Sequence, residues 1–284
     1  MVRGFILDTN EVKYLRCVFM VETISQYQEE VNKIMHHSFK ITDATVNPWF
    51  RGQSDESWDL LPKLYREKGL EKYERELLRD FKLYSHPYLN NKIPDNDFEW
   101  LFLMQHYGIP TRLLDWTESS LIALFFSLIN YKSDCNSAVW LFHPWTLNEN
   151  ILGDRKSVIT YEDPFLSSYL LDDCNNINRS ISADYPIALR PKRNSPRIIS
   201  QKGMFTIHGS RKIPLNKLYF DYNSKESRKT KILIKKIIIS KSYKLSIFKE
   251  LYSSGITESV LFPEITGLCN ELTFRYSNSF YEKI

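Results

Sequence analysis

The apolar positions of the chain recur every three or four residues in several stretches, the spacing of amphipathic helices. This pattern predicts helices over 21–39, 70–84, 95–107, 244–252 and 264–275. The stretch 119–131 is apolar almost all round, which predicts a helix buried in the core. Gly108 and Pro110 follow the third helix and are typical of a helix end.

Short apolar runs rich in β-branched and aromatic residues predict the strands. They cover 49–53, 137–143, 231–240 and 259–262, with two further halves around Gly203 within 197–208. Residues 144–194 mix Asn, Asp, Ser and Pro with short apolar pieces, so we expect a loop-rich insertion there. The pattern as a whole predicts an α+β fold, with a mixed or antiparallel sheet flanked by helices.

The same pattern predicts the organisation of the chain. We expect a helical N-terminal segment over 1–44, a main domain over 45–270 and a C-terminal tail over 271–284. The length of 284 residues is enough for one large core.

Composition changes this picture little. Hydrophobic residues make up 43% and charged residues 25%, which is ordinary for a globular protein. The net charge of +4 is too weak to indicate nucleic-acid binding alone, although 17 Tyr, 17 Phe and 6 Trp provide stacking surfaces. The four cysteines are scattered, so neither a disulfide framework nor a metal site is expected.

Targeting signals are not expected. The apolar run at the N-terminus stops at Asp8, before a signal-peptide core could form. The longest apolar block, 121–129, is far shorter than the roughly 20 residues that a membrane-spanning helix needs. We therefore expect a soluble cytoplasmic protein with no membrane partner.

The first candidate site is Arg51, within Phe50-Arg51-Gly52-Gln53. Its planar guanidinium suits a phosphate or carboxylate, and Gly52 would let a ligand approach the backbone. We expect Arg51 on or beside a strand end. The alternative is a buried structural pair between the arginine and a carboxylate.

The second candidate site is the polar segment 105–117, which lies between two apolar helices. It carries Gln105, His106, Thr111, Arg112 and Asp115. Buried polar groups must be paired, so these residues form either a structural network or a binding site. We expect Arg51, Gln105, His106, Arg112 and Asp115 to converge on one cleft.

Two further activities stay open. His106 at a helix C-terminus would tend to hold its proton, so a metal-independent nuclease could use His106 with Asp115, or His208. The other is a non-catalytic nucleic-acid-binding module that uses a group of basic residues. The alternative for these residues is a strand face that is simply exposed to solvent. These are Lys225, Arg228, Lys229, Lys231, Lys235 and Lys236. No P-loop, G-x-S-x-G, H-E-x-x-H or Rossmann motif is present, so those enzyme classes lack support.

Longer motifs resemble the FRG-domain family, named for the Phe-Arg-Gly motif. They are Phe50-Arg51-Gly52-Gln53, Trp58, Leu61-Pro62-Lys63-Leu64-Tyr65-Arg66, Gln105-His106-Tyr107-Gly108, and Pro110-Thr111-Arg112-Leu113-Leu114-Asp115-Trp116. Weaker matches continue through Ala123-Leu124-Phe125-Phe126, Gln201-Lys202-Gly203-Met204-Phe205-Thr206 and Leu261-Phe262-Pro263-Glu264, so the resemblance spans roughly 45–270. It implies a bacterial or phage-associated protein.

A second resemblance is to mono-ADP-ribosyltransferases. Phe50-Arg51-Gly52, Gly203-Met204-Phe205-Thr206 and Glu258-Ser259-Val260-Leu261-Phe262-Pro263 are similar in order to the Arg, Ser/Thr and Glu motifs of those enzymes. The resemblance implies an ADP-ribosyltransferase-like fold and NAD as substrate. It also implies a bacterial toxin or anti-phage defence effector that modifies nucleic acid or protein, with an antitoxin or defence-system partner.

The resemblance also implies roles for individual residues. The NAD-binding set would be Arg51, Gly52, Gln53, Gln105, Thr111, Arg112, Asp115, Phe205 and Thr206, with Thr206 bracing the first motif. Glu258 or Glu264 would act on the nicotinamide ribose, and His106 is a third catalytic candidate. The Glu258 motif has no Glu-x-Glu pair, and Ser259 directly precedes Val260-Leu261, so the choice of glutamate stays open.

Overall fold

The centre of the molecule is one sheet of eight strands in the order β1-β8-β4-β2-β3-β7-β6-β5. It is seen in a computed structural model that describes residues 20–39, 48–89, 93–153, 158–170, 181–218 and 234–278. The strands are β1 Met20–Val21, β2 Trp49–Gln53, β3 Leu113–Thr117, β4 Ser137–Phe142, β5 Ile159–Thr160, β6 Ile187–Arg190, β7 Gly203–Ile207 and β8 Ile234–Ile239.

Most neighbouring strands of the sheet run antiparallel. The edge pairs β1 with β8 and β5 with β6 are parallel, so the sheet is mixed. Central strands β4 and β8 pair over six residues, from Ser137 opposite Ile239 to Phe142 opposite Ile234. The predicted α+β class with a mixed sheet is confirmed.

Ten α-helices surround the sheet in the described ranges. They are α1 Ile24–Phe39, α2 Lys63–Arg66, α3 Glu74–Ser85, α4 Asp97–His106, α5 Ser120–Leu128, α6 Pro144–Leu152, α7 Pro196–Ser200, α8 Lys244–Ser253, α9 Glu258–Leu261 and α10 Ile265–Ser277. Six short 3₁₀ turns join them, over Leu70–Tyr73, His86–Tyr88, Pro164–Tyr169, Ile181–Asp184, Leu215–Lys217 and Lys241–Tyr243.

Apolar clusters packed on the sheet explain why these segments fold as they do. Helix α5 is buried among β2, β4 and α8, as its all-round apolar sequence predicts, and Leu124 and Phe125 are fully enclosed. Helix α4 packs Phe98 and Phe102 against β7, where Phe102 stacks on Phe205 at 4.9 Å. Each burial of such a side chain stabilises the fold by roughly 1.5–3 kcal/mol.

One boundary in the sheet is different from the others. Strand β2 pairs with β4 over five residues but with β3 at a single position, Phe50 opposite Thr117. Beyond that pair β2 and β3 are not paired, so Arg51 and Asp115 face a place where the ladder is interrupted. We call the boundary between β2 and β3 the seam.

The N-terminal helix belongs to this core. Tyr27 on α1 is fully buried and donates a hydrogen bond from its hydroxyl to the Ser120 carbonyl at 2.8 Å. The rest of the predicted segment 1–44, residues 1–19 and 40–44, lies outside the described residues. None of the helices in the described ranges has the length and apolarity to cross a membrane.

Two local predictions were wrong in element type, because Pro196–Ser200 and Glu258–Leu261 are short helices instead of strands. Residues 113–117, for which no element was predicted, form strand β3. Short apolar runs have too few residues to separate helical from strand periodicity. Arg51 also lies at the middle of β2, not at its end.

The segment 144–194, for which the sequence predicts a loop-rich insertion, contains regular structure as well. Helix α6 occupies its first part, and β6 pairs with β7 inside the sheet. Asn148 joins α6 to β6. Its Nδ2 donates to the Ala188 carbonyl at 2.9 Å, and its Oδ1 accepts from the Ala188 N–H at 2.7 Å. One of the polar residues that obscured the pattern, Asn148, is therefore buried and has a structural role.

Candidate functional site

A cavity of about 260 Å³ opens at the seam. Its polar wall consists of Arg51, Gln105, Asp115, Arg197 and Gln201, and its apolar wall includes Phe50, Trp116, Phe126, Met204 and Phe205. A concave, mostly apolar site with a few convergent polar groups is the usual form of a small-ligand site. We call it the seam cavity.

Arg51 is the largely buried cation of the seam cavity, with 18% of its side chain exposed. Its Nη1 donates to the Asp115 backbone carbonyl at 2.7 Å and lies 3.5 Å from the Asp115 carboxylate. Its Nε is buried and has no hydrogen-bond partner among the described residues. Burial lowers the pKa of Arg51; the charge of Asp115 opposes this and that of Arg66 adds to it. The protein therefore compensates this cation only partly.

A chain of hydrogen bonds orients the Asp115 carboxylate. Thr111 donates from Oγ1 to Gln105 Oε1 at 2.6 Å, and Gln105 Nε2 donates to Asp115 Oδ2 at 2.9 Å. The Asp115 side chain is still 52% exposed, so it faces the solvent side of the seam cavity. Thr111 itself is buried and acts on the site through Gln105.

Arg112 is turned away from the seam cavity. Its guanidinium forms a buried two-point pair with Glu74, including Nε to Oε1 at 2.6 Å, and Nη1 donates to the Tyr169 carbonyl at 3.0 Å. Burial opposes the charge, but the hydrogen bonds and charge of Glu74 outweigh it and raise the pKa of Arg112. The expected single cleft therefore does not include Arg112.

His106 lies on a neighbouring cleft of about 510 Å³, which shares Arg197 and Ile198 with the seam cavity. Its Nε2 is 3.3 Å from Glu264 Oε1, so Glu264 also lies on this cleft. Burial, with the charge of Arg197, lowers the pKa of His106 despite Glu264. This direction is opposite to the expectation that His106 would hold its proton, because burial and the Arg197 charge disfavour the protonated form.

Comparison with protein families bears on the segment that forms the seam. Residues 46–135 match the family model of the FRG domain. The chain carries an FRG domain. The resemblance inferred from the Phe-Arg-Gly and Gln105 to Trp116 motifs is thereby confirmed. Searches of curated proteins and of solved structures found no significant similarity.

The FRG domain match contains both strands of the seam, β2 and β3, together with helices α4 and α5. Three polar residues of the cavity wall, Arg51, Gln105 and Asp115, lie within it. Phe50, Trp116 and Phe126 of the apolar wall also lie within it, whereas Arg197, Gln201, Met204 and Phe205 come from beyond residue 135. The cavity is therefore completed by the part of the chain that follows the match.

The glycine of the FRG motif has a packing role. A Cβ at Gly52 would lie 2.0 Å from the Ala123 carbonyl oxygen and 2.4 Å from the Ser127 nitrogen, both on the backbone of α5. Any side chain there would push α5 off the sheet. This close approach of helix and strand explains the glycine without the ligand contact expected from the sequence.

Two other residues expected to bind NAD are enclosed by the FRG domain core. Gln53 is buried, accepts from Trp140 Nε1 at 2.8 Å and donates to the Asp59 carbonyl at 3.3 Å. Thr206 is buried and accepts from Trp116 Nε1 at 3.1 Å. Thr206 thus orients Trp116, which lines the seam cavity, and makes no hydrogen bond to the Phe50-Arg51-Gly52 motif that it was expected to brace.

Glu258 borders neither the seam cavity nor the His106 cleft. Its Oε2 is buried and makes no hydrogen bond to any described residue, and burial raises the pKa of its carboxyl to about 7. The two glutamates expected to act on the ribose therefore lie apart from Arg51, with Glu264 on the neighbouring cleft.

His208 is fully buried, and it does not line the seam cavity. Burial, with the charges of Arg51 and Arg112, lowers its pKa to about 3. It is therefore neutral near pH 7 and has no access to solvent for nuclease chemistry. In the described ranges no three His, Cys, Asp or Glu side chains are grouped to hold a metal ion.

The basic segment expected to face nucleic acid is described only in part. Lys235 and Lys236 are exposed on β8, and Lys236 Nζ lies 5.0 Å from the centre of the Trp140 ring. Lys225, Arg228, Lys229 and Lys231 lie outside the described residues.

Sequence reasoning missed several residues of the seam cavity. Arg197 is the most important, since it lines both cavities and donates to the His106 carbonyl at 3.1 Å. It begins a short helix after Pro196, and no motif marks it. Trp116 and Gln201 fall within recognised motifs, where their polar or aromatic character was an available signal.

Proposed function

We propose that the protein binds NAD at the seam cavity and transfers ADP-ribose from it to a macromolecular acceptor. One observation carries the proposal: Arg51 is a largely buried cation on the wall of an open cavity, and its Nε has no hydrogen-bond partner among the described residues. A buried charge that the protein does not fully compensate favours an anionic ligand. The pyrophosphate of NAD supplies such an anion.

The sizes of the two cavities support a ligand with two parts. The seam cavity, at about 260 Å³, is slightly smaller than a typical small-molecule site of roughly 300–1,000 Å³. The His106 cleft adds about 510 Å³ on the other side of Arg197 and Ile198. One half of a dinucleotide would occupy the seam cavity, the other half would extend past Arg197, and the two arginines would flank the pyrophosphate.

The chemistry requires a carboxylate near the ribose. During transfer the bond between the ribose C1′ and the nicotinamide nitrogen breaks, and an acceptor nucleophile forms the new bond to C1′ and loses its proton. Positive charge develops on the ribose, and a fixed carboxylate stabilises it. Asp115 is the carboxylate on the described wall of the seam cavity, and Gln105 holds it in place. The proposal therefore assigns this role to Asp115 in preference to Glu258 or Glu264.

The test is calorimetric titration of NAD into the folded protein, followed by assay of nicotinamide release and of transfer from labelled NAD to nucleic acid and to protein. Wild type should bind and react, whereas Arg51→Ala should do neither. Arg211→Ala is the matched control, because Arg211 is exposed, pairs with Asp184 and is outside both cavities. Absence of both binding and nicotinamide release in well-folded wild type would refute the proposal.

The proposal extends to the biological role implied by the resemblance, a cytoplasmic toxin or anti-phage effector. Expression of the wild-type protein in a bacterial host should arrest growth, and Arg51→Ala should relieve the arrest. Equal growth arrest by both proteins would separate the biological effect from the seam cavity.

A further inference from the structure

Helix α10 has an apolar face that is exposed to solvent. Its buried residues, Gly267, Glu271 and Phe274, recur every three or four positions and mark the side that packs on the core. At about 100° per residue, four exposed residues of the helix point to the other side. They are Ile265, Leu268, Cys269 and Leu272, and we call them the α10 face.

The α10 face contributes little to the core. Ile265 is 73% exposed, and Leu268 and Leu272 are each 44% exposed. Val260 on the adjoining helix α9 is 52% exposed and adds to the same apolar region. A contiguous apolar patch on the outside of a folded protein marks an interaction surface.

The spacing of the α10 face is the same in both directions. From Ile265 the next positions follow after three, one and three residues, and from Leu272 backwards the steps are again three, one and three. A two-fold dimer brings one surface against an identical surface. An antiparallel pair of α10 helices fits this symmetry, because Ile265 meets Leu272 of the second copy at both ends. Leu268 and Cys269 each meet their own counterpart near the two-fold axis.

The charges of α10 favour a second copy over other partners. Glu271 and Arg275, the charged residues between Ile265 and Ser277, pair with each other at 2.5 Å, and the α10 face itself is uncharged. Two copies therefore meet on this face without like-charge repulsion. A nucleic acid requires a basic surface, and a helix that lies on a membrane is rich in Lys or Arg on its polar face. Helix α10 provides neither.

We propose that two copies of the chain form an antiparallel dimer through the α10 face. Helix α10 is about 20 Å long at about 1.5 Å per residue. One pair of helices of that length buries less than the roughly 800 Å² per partner of a typical specific interface. The dimer should therefore be reversible and dissociate on dilution.

The dimer contact lies beside the His106 cleft. Glu264 directly precedes Ile265, and it lies on that cleft, 3.3 Å from His106. Tyr107 lines the same cleft and is 66% exposed. The second copy therefore borders the mouth of the cleft. Dimer formation itself depends neither on NAD nor on the proposed function.

Sedimentation equilibrium of the purified full chain, without NAD and over a range of protein concentrations, tests the dimer. Wild type should shift from monomer to dimer as the concentration rises. Leu268→Glu/Leu272→Glu places like charges in the contact and should raise the dimer dissociation constant by at least about tenfold. Leu83→Glu/Tyr84→Glu is the matched control, because both residues are exposed on α3, and it should dimerise as wild type does. Circular dichroism should show that all variants are folded.

A cross-link tests the antiparallel arrangement, because it places Cys269 beside its counterpart. The variant Cys17→Ser/Cys135→Ser/Cys174→Ser should form a covalent dimer with a short bis-maleimide, and the further change Cys269→Ser should abolish it. Wild type that is monomeric at every concentration would overturn the proposal, as would an unchanged dimer in Leu268→Glu/Leu272→Glu or a dimer that Cys269 does not cross-link. A monomer that binds vesicles of anionic phospholipid through Leu268 and Leu272 would assign the face to a membrane instead.

Discussion

Arg112 is buried and Arg51 is largely buried in the same domain, but the two arginines have opposite surroundings. Arg112 is paired at two points with the buried carboxylate of Glu74 and also bonds a backbone carbonyl. Arg51 has one short bond to a carbonyl, a longer contact with the half-exposed Asp115, and an unpartnered Nε. The Arg112 guanidinium is paired inside the core, whereas the Arg51 guanidinium faces an open cavity.

The difference shows how to separate a structural arginine from a ligand-binding one. A protein that places both charges of a pair in its core satisfies them internally, because an unpaired buried charge is costly. At Arg51 part of that requirement is left unmet. None of the described residues supplies the missing partner of Arg51 Nε, so we expect Arg112 to contribute mainly to stability and Arg51 mainly to ligand binding.

The largest effect on stability is expected at the buried pair of Arg112 and Glu74. Arg112→Ala leaves the Glu74 carboxylate buried without a counter-ion and should lower the free energy of unfolding by about 3–5 kcal/mol. Urea denaturation at neutral pH measures this. The double variant Arg112→Met/Glu74→Leu should recover most of the loss, because apolar groups of similar size replace both charges. A single-variant loss under about 1 kcal/mol would remove the contrast between the two arginines.

A pH effect should come from His208, whose backbone N–H bonds the Arg112 carbonyl at 3.0 Å. Its pKa is about 3 when folded and about 6.5 when unfolded, so the unfolded chain binds more protons between these values. Stability should therefore fall by a few kcal/mol as the pH falls from about 6.5 towards 3. Denaturant midpoints at several pH values, with His208→Leu and the exposed His86→Gln as control, would show whether His208 is responsible.

Arg51→Ala should change the free energy of unfolding by no more than about 1 kcal/mol, since it removes a charge that the protein compensates only partly. Binding of NAD should be lost in the same variant. Arg51→Lys keeps the charge without the planar fork and should bind weakly. A loss of stability as large as that of Arg112→Ala would make Arg51 a structural residue.

The smallest effect on stability is expected for Asp115→Asn. The new amide oxygen can still accept from Gln105, so the free energy of unfolding should change by less than about 0.5 kcal/mol. Nicotinamide release should nevertheless fall by about a hundredfold if the carboxylate stabilises the ribose. Glu258→Gln serves as the control, because Glu258 is outside the seam cavity. A larger loss of nicotinamide release in Glu258→Gln than in Asp115→Asn would make Glu258 the carboxylate that stabilises the ribose.

Much of the fold could be predicted from periodicity. The amphipathic and fully apolar helices α1, α4 and α5 and the strands β2, β4 and β8 lie close to their predicted positions, because burial on one face or all round leaves a clear pattern. Strand β3 could not be predicted in this way. Asp115 interrupts its apolar run, and that residue faces the seam cavity instead of a core.

The candidate site was predictable as a set of residue types but not as a geometry. Arg51, Gln105 and Asp115 come together, whereas Arg112 leaves the group because Glu74, 38 positions earlier, meets it in the core. No local pattern reveals such a distant partner. Arg197 was missed for the same reason, since its position depends on α7 packing beside β7.

The single pair between Phe50 and Thr117 also has a dynamic consequence. The halves β1-β8-β4-β2 and β3-β7-β6-β5 each have continuous ladders, so each should exchange its amide hydrogens as a cooperative unit. Amides along the boundary should exchange fastest of those in the sheet. A molecule that contacts both Arg51 and Asp115 would hold the two halves together. It should slow amide exchange at the boundary and leave exchange within each half unchanged.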